Sequence, residues 1–116
     1  MKTILVVDDD DAIRLLIEME LTDEGYRVLT ASNAQDALKL VQSEQLDLVI
    51  LDIRMPGMDG LEVLPRILGL KEGLKVILNT AYSQYQESFM SWAADAYLIK
   101  SADLSELKDK VKELLA

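Results

Sequence analysis

The chain has 116 residues, 50% of them hydrophobic and 28% charged, with a net charge of −9. That size and apolar content fit one compact domain, residues 1–116, and the acidic balance argues against direct nucleic-acid binding or attachment to an anionic membrane. Cysteine and histidine are both absent, which excludes a disulfide framework, thiolate or imidazole metal ligands, and histidine-based catalysis on this chain.

The elements follow in chain order. The run ILVV (4–7) reads as a strand and ends in four consecutive aspartates, Asp8 to Asp11. Ile13, Leu16, Ile17 and Leu21 then recur at helical spacing, and Gly25 ends that helix. YRVLTA (26–31) alternates and predicts an edge strand. Residues 32–44 predict a second helix with Ala34, Ala37, Leu38 and Val41 on one face, and Ser32 and Gln35 at capping-box spacing. LDLVILD (46–52) is apolar on both faces of a strand, which implies burial on both sides. MPGMDG (55–60) is a turn cluster. Asp59 and Glu62 have capping spacing before a third helix, about 60–70, which contains Pro65.

KVILNT (75–80) is a fourth strand, residues 84–93 a short fourth helix, and DAYLIK (95–100) a fifth strand. Asp103 and Glu106 repeat the capping spacing before a last helix lined by Leu104, Leu107, Val111, Leu114 and Leu115. Five alternating strand–helix units predict a parallel sheet covered on both faces, a doubly wound three-layer α/β sandwich. No apolar run approaches the ~20 residues that cross a bilayer, and the N-terminus does not read as a signal peptide, so a cytoplasmic location is the expectation.

In such sheets ligands bind beyond the carboxyl ends of the strands. Asp8 and Asp9 close the first strand and Asp52 the third. If those strands are neighbours, ~4.8 Å apart, three carboxylates crowd one pocket, and a hard divalent cation such as Mg²⁺ relieves their repulsion. Thr80 and Lys100 close the fourth and fifth strands on the same rim. Acids, a hydroxyl and an ammonium together suit a phosphoryl group, and Asp can serve as the nucleophile that receives it. Taken singly, each residue reads more simply: Asp10 or Asp11 as a helix cap, Asp52 as a loop acid, Thr80 as an ordinary strand residue, Lys100 as a surface lysine, Tyr97 as a half-buried aromatic.

VVDDDDAIR (6–14), VILDIRMPGMDG (49–60), the TA at 80–81 and ADAYLIK (94–100) resemble the receiver domain of two-component response regulators over essentially the full chain. The resemblance implies a flavodoxin-like fold with five helices and sheet order 2-1-3-4-5. It implies that Asp52 is the phosphoacceptor and that Asp9 binds Mg²⁺ directly, with Asp8 supporting the ion and the backbone carbonyl of Arg54 completing the protein ligands. Lys100 would pair with the phosphoryl group and Asp52, Thr80 would hydrogen-bond a phosphoryl oxygen, Ala81 would leave room for it, and Tyr97 would be the aromatic switch. The implied partners are a sensor histidine kinase or phosphotransfer protein, which docks on the first helix and the loops near the site, and a protein output target. The chain would be a monomer or a phosphorylation-dependent dimer, and a phosphoacceptor rather than an enzyme acting on other molecules.

Several positions depart from the family pattern. Ser101 stands where the family usually has a proline, often after a cis bond, so the reach of Lys100 is the point for the structure to decide. Ala93 replaces a common glycine, Asn79 is polar where an apolar residue is usual, and the stretch from Tyr82 to Trp92 is shorter than usual. Tyr85, Phe89, Met90 and Trp92 read as core or contact residues. Competing readings are a phosphate-independent interaction module, an Asp-nucleophile phosphohydrolase and a flavin carrier. The retained acids and lysine count against the first, the lack of a second acid in Asp52-Ile53-Arg54 against the second, and the lack of a phosphate loop after the first strand against the third.

Overall fold

The structure, a computed structural model, describes residues 1–55, 58–81, 93–101 and 103–116, and only the backbone at 54, 55 and 58–61. Its main sheet contains β1 (Thr3–Val7), β2 (Arg27–Ala31), β3 (Leu48–Leu51), β6 (Lys75–Thr80) and β7 (Ala96–Ile99). All pairings in it are parallel, in the order β2-β1-β3-β6-β7, which is the predicted 2-1-3-4-5. β1 and β3 are therefore neighbours, with Val7 opposite Leu51. A second, two-stranded antiparallel ribbon, β4 (Arg54–Met55) and β5 (Met58–Asp59), occupies the predicted turn cluster.

Four helices lie among the described residues: α1 (Asp11–Asp23), α2 (Ala34–Ser43), α3 (Gly60–Leu70) and α4 (Ser105–Leu115). The helix predicted at 84–93, with Tyr85, Phe89, Met90 and Trp92, falls outside the described residues apart from Ala93. α1 and α4 bury Ile17, Leu21, Leu107 and Val111 against one face of the sheet. α2 and α3 bury Ala34, Ala37, Val41, Val63, Leu64 and Ile67 against the other. With helices on both sides, β1 and β3 are buried at every position, whereas the edge strand β2 is mostly half-exposed.

Local chemistry explains the helix ends and corrects three expectations. Asp10 caps α1, its carboxylate accepting from the Ala12 and Ile13 amides, and Gly25 follows the helix with φ 96°. α2 is capped by Asn33, which accepts from the Asp36 amide, and not by Ser32; Asn33 has the extended backbone a cap requires. α4 begins at Ser105, and Asp103 accepts the Ser105 amide from just outside it. Leu16 is 38% exposed rather than core, because only Ile17 and Leu21 of α1 point squarely at the sheet. α3 runs through Pro65 from Gly60 to Leu70; the Asp59 side chain proposed to cap it is outside the described atoms.

Candidate functional site

The carboxyl ends of the strands bring the predicted acids together. Sheet hydrogen bonding extends one residue beyond β1, β3 and β7. The Asp8 amide donates to the Ala31 carbonyl, the Asp52 amide to Val7, and the Lys100 amide to Thr80. Each of these side chains therefore starts from the last rung of a rigid ladder.

One ligand oxygen from each of Asp8, Asp9 and Asp52 lies within 4.8 Å of the others. Asp8 and Asp52 are buried, at 2% and 4% exposure, and Asp9 is exposed. Lys100 reaches across from the fifth strand. Its Nζ lies 2.9 Å from Asp8 Oδ2 and 3.0 Å from Asp52 Oδ2. Burial pulls the Lys100 pKa down, but hydrogen bonds and charge attraction from Asp8 and Asp52 outweigh it and hold the ammonium above its ordinary value. Among the described residues one ammonium thus stands against three carboxylates. The remaining negative charge and the all-oxygen donor set match what a hard divalent cation prefers.

The four-aspartate run divides its labour. Asp8 Oδ1 accepts the Asp10 amide at 2.9 Å while Oδ2 faces Lys100. Asp9 stands at the rim. Asp10 caps α1, and Asp11 pairs with Arg14 one turn on. Arg14 also donates to the Asp8 backbone carbonyl at 2.6 Å, a contact that sequence reading missed; its only sign there is the six-residue offset, which folds a first-turn side chain back over the loop.

Ser101 does not prevent Lys100 from reaching the acids. Among the described residues no peptide bond is cis. Instead the Ser101 hydroxyl accepts the Asp103 amide at 3.1 Å, a side-chain turn that shapes the loop where the family has proline.

The other predicted residues take up positions around this centre. Thr80 is fully buried at the end of β6. Tyr97 lies opposite Leu78 and packs against the same core cluster. Alternation along β6 puts Thr80 on the same face as Leu78, and hence on the Tyr97 side of the sheet. Ala81 follows Thr80 and is exposed. Arg54 contributes its backbone to β4, opposite Asp59. Asn79 is 5% exposed and faces the opposite side, below the α1 and α4 helices, where it lines a cleft of about 320 Å³ with Ile13, Leu16 and Leu104.

Comparison with known proteins shows the family and the fold. A family model described as "Response regulator receiver domain" matches residues 4–112. The chain is 41% identical to sporulation initiation phosphotransferase F of Bacillus subtilis over 115 residues, covering 97% of this chain and 92% of that protein. It superposes with a TM-score of 0.94 on the response regulator TrrA of Thermotoga maritima in complex with Mg(2+)-BeF, at 54% identity and with 98% and 99% of the two chains covered. A structure of the Thermotoga histidine kinase ThkA in complex with TrrA matches with a TM-score of 0.93 at 54% identity, covering both chains completely.

Proposed function

The chain belongs to the response regulator receiver family, and from that membership we propose that Asp52 accepts a phosphoryl group from a phosphohistidine on a sensor histidine kinase or phosphotransfer protein. The observation that carries this reading is the convergence of Asp8, Asp9 and Asp52 within 4.8 Å, with the Lys100 ammonium bonded to two of them. An Asp52 carboxylate oxygen forms the new bond to phosphorus as the phosphorus–nitrogen bond of the donor breaks, and the leaving imidazole keeps the electron pair and takes up a proton. Lys100 offers its ammonium to the incoming charge, having been held beside Asp52 beforehand. Mg²⁺ held by Asp8, Asp9, Asp52 and the Arg54 carbonyl supplies further positive charge when bound. The structure of the response regulator TrrA in complex with Mg(2+)-BeF supports that choice of ion.

Phosphorylation adds roughly −1.5 to −2 charge and new acceptor oxygens at Asp52. Thr80 donates its hydroxyl to one of them, and Ala81 leaves the approach open. The movement of Thr80 vacates space on the face it shares with Tyr97, whose ring turns inward, so a local charge event biases a two-state surface read by a protein target. The chain catalyses its own phosphorylation and dephosphorylation only. The crystal complex of ThkA with TrrA supports a histidine kinase as partner. Among the described residues no helix is long and apolar enough to cross a membrane.

The test is intact-mass spectrometry after incubation with acetyl phosphate, with Mg²⁺ or with EDTA, on wild type and Asp52→Asn. A single Mg²⁺-dependent phosphoryl adduct, absent from the variant, is the expected result. No adduct, beside a control receiver that labels, overturns the proposal and favours a phosphate-independent binding module.

A further inference from the structure

The three rim acids are held in unequal ways. Asp52 is held by Lys100, and Asp8 by Lys100 and the Asp10 amide. The Asp9 carboxylate has no hydrogen-bond partner among the described residues and is exposed. Its direction is therefore set by its own backbone. That backbone leaves the sheet just before Asp9, since the β1–β3 pairing ends at Val7.

Arg14 governs that departure. Its amide donates to the Asp10 carbonyl at 2.9 Å, which locks the residue into the first turn of α1. From there Nη1 donates to the Asp8 carbonyl at 2.6 Å and Nη2 pairs with Asp11. The Arg14 side chain is 19% exposed, so its bond to the Asp8 carbonyl is partly shielded from water, whereas its pair with Asp11 lies at the surface. The Asp8 carbonyl and the Asp9 amide belong to one planar peptide unit, so fixing the oxygen fixes the direction in which Asp9 leaves. A guanidinium can hold two acceptors at fixed separation, whereas an ammonium is a single point charge.

We propose that Arg14 is a positioning residue of the divalent-cation site, clamping the Asp8–Asp9 peptide so that Asp9 is presented to the ion. This inference rests on the Mg²⁺ reading above. The opposing account makes Arg14 a mere counter-charge in an acidic cluster. The two differ in sign: a lost clamp weakens Mg²⁺ binding, whereas a lost counter-charge strengthens it.

The experiment is titration calorimetry with Mg²⁺ alone, on the unphosphorylated wild type, Arg14→Gln, Arg14→Lys and Asp11→Asn. Arg14→Gln is expected to bind Mg²⁺ about tenfold more weakly, the lower end of what lost support behind a metal ligand causes. Arg14→Lys keeps the charge without the fork and is expected to remain about threefold weaker than wild type. Asp11→Asn removes the surface pair but leaves the Asp8 bond, and is expected to stay within about twofold of wild type. Thermal unfolding in EDTA separates a site effect from a folding defect; should Arg14→Gln not fold, the Arg14→Lys result decides. Unchanged or tighter Mg²⁺ binding in Arg14→Gln, or wild-type affinity in Arg14→Lys, overturns the proposal. A wild type that binds no Mg²⁺ overturns the cation reading itself.

Discussion

Replacing Lys100 with methionine tests the electrostatics of the whole site. The substitution keeps an unbranched apolar stem and removes the ammonium that bridges Asp8 and Asp52. At 2.9 and 3.0 Å and an effective dielectric constant of ~20, each contact carries about 5–6 kcal/mol of Coulomb attraction. Most of this offsets the desolvation of the charges involved. Breaking a buried pair by removing one partner costs about 3–5 kcal/mol net. Lys100 retains 15% exposure and Asp9 opens the rim to water, so the lower end applies. Without Mg²⁺, Lys100→Met should be destabilised by about 3 kcal/mol, or about 10 °C in midpoint for a domain of this size. On the proposed function Mg²⁺ shares these carboxylates with Lys100, so the variant should gain more from the ion than wild type does. Urea unfolding in EDTA and again at saturating Mg²⁺ measures both terms. The deficit should shrink by about half or more when Mg²⁺ is present, through the usual linkage of binding to stability. A deficit below about 1 kcal/mol in EDTA, or one that Mg²⁺ leaves unchanged, would refute the claim that Lys100 neutralises this pocket.

The pH response of the same contact has a definite sign. Because the folded protein raises the Lys100 pKa above its ordinary 10.5, the stabilisation is fully present below that value and is lost as pH rises through the folded pKa. The stability difference between wild type and Lys100→Met should accordingly be flat from neutral pH to about pH 10 and narrow only above it; narrowing near neutrality would contradict the assignment. Asp10→Ala removes the carboxylate that caps α1 through the Ala12 and Ile13 amides and should cost about 1 kcal/mol in urea unfolding. Gly25→Ala places a side chain at φ 96° with open space around it, so a loss of about 1–2 kcal/mol would come from backbone strain alone; a neutral result would mean the turn relaxes.

The two-core architecture was legible because it depends on patterns that few other arrangements satisfy. Within LDLVILD (46–52), Leu48–Leu51 are apolar at successive positions, and only a strand covered on both faces buries all four. Ala34, Ala37 and Val41 recur at helical spacing and all turn inward. Family resemblance added the strand order, which periodicity does not specify. The sequence missed by one residue where two neighbours could serve the same purpose. Ser32 and Asn33 can both cap a helix, and in the structure it is Asn33, with an extended backbone, that accepts the Asp36 amide. Leu16 carries the right spacing for the core, yet the rotation of α1 on the sheet leaves it facing a cleft.

The VVDDDD run shows the same division at the site itself. Side-chain chemistry in the sequence determined that carboxylates end two strands and that a hydroxyl and an ammonium end two more. It also determined that no histidine or cysteine of this chain takes part. The tertiary structure decided which of Asp10 and Asp11 caps the helix and how each acid is held. Asp8 turns inward to Lys100, its amide held by the last rung of the sheet; Asp9 stands exposed at the rim, one residue beyond the carbonyl that Arg14 holds; Asp10 caps the helix. The pairing of Lys100 with Asp52 spans 48 residues of chain. Local propensity carries no information over such a distance, because only the register of parallel strands brings those two backbones to the same rim.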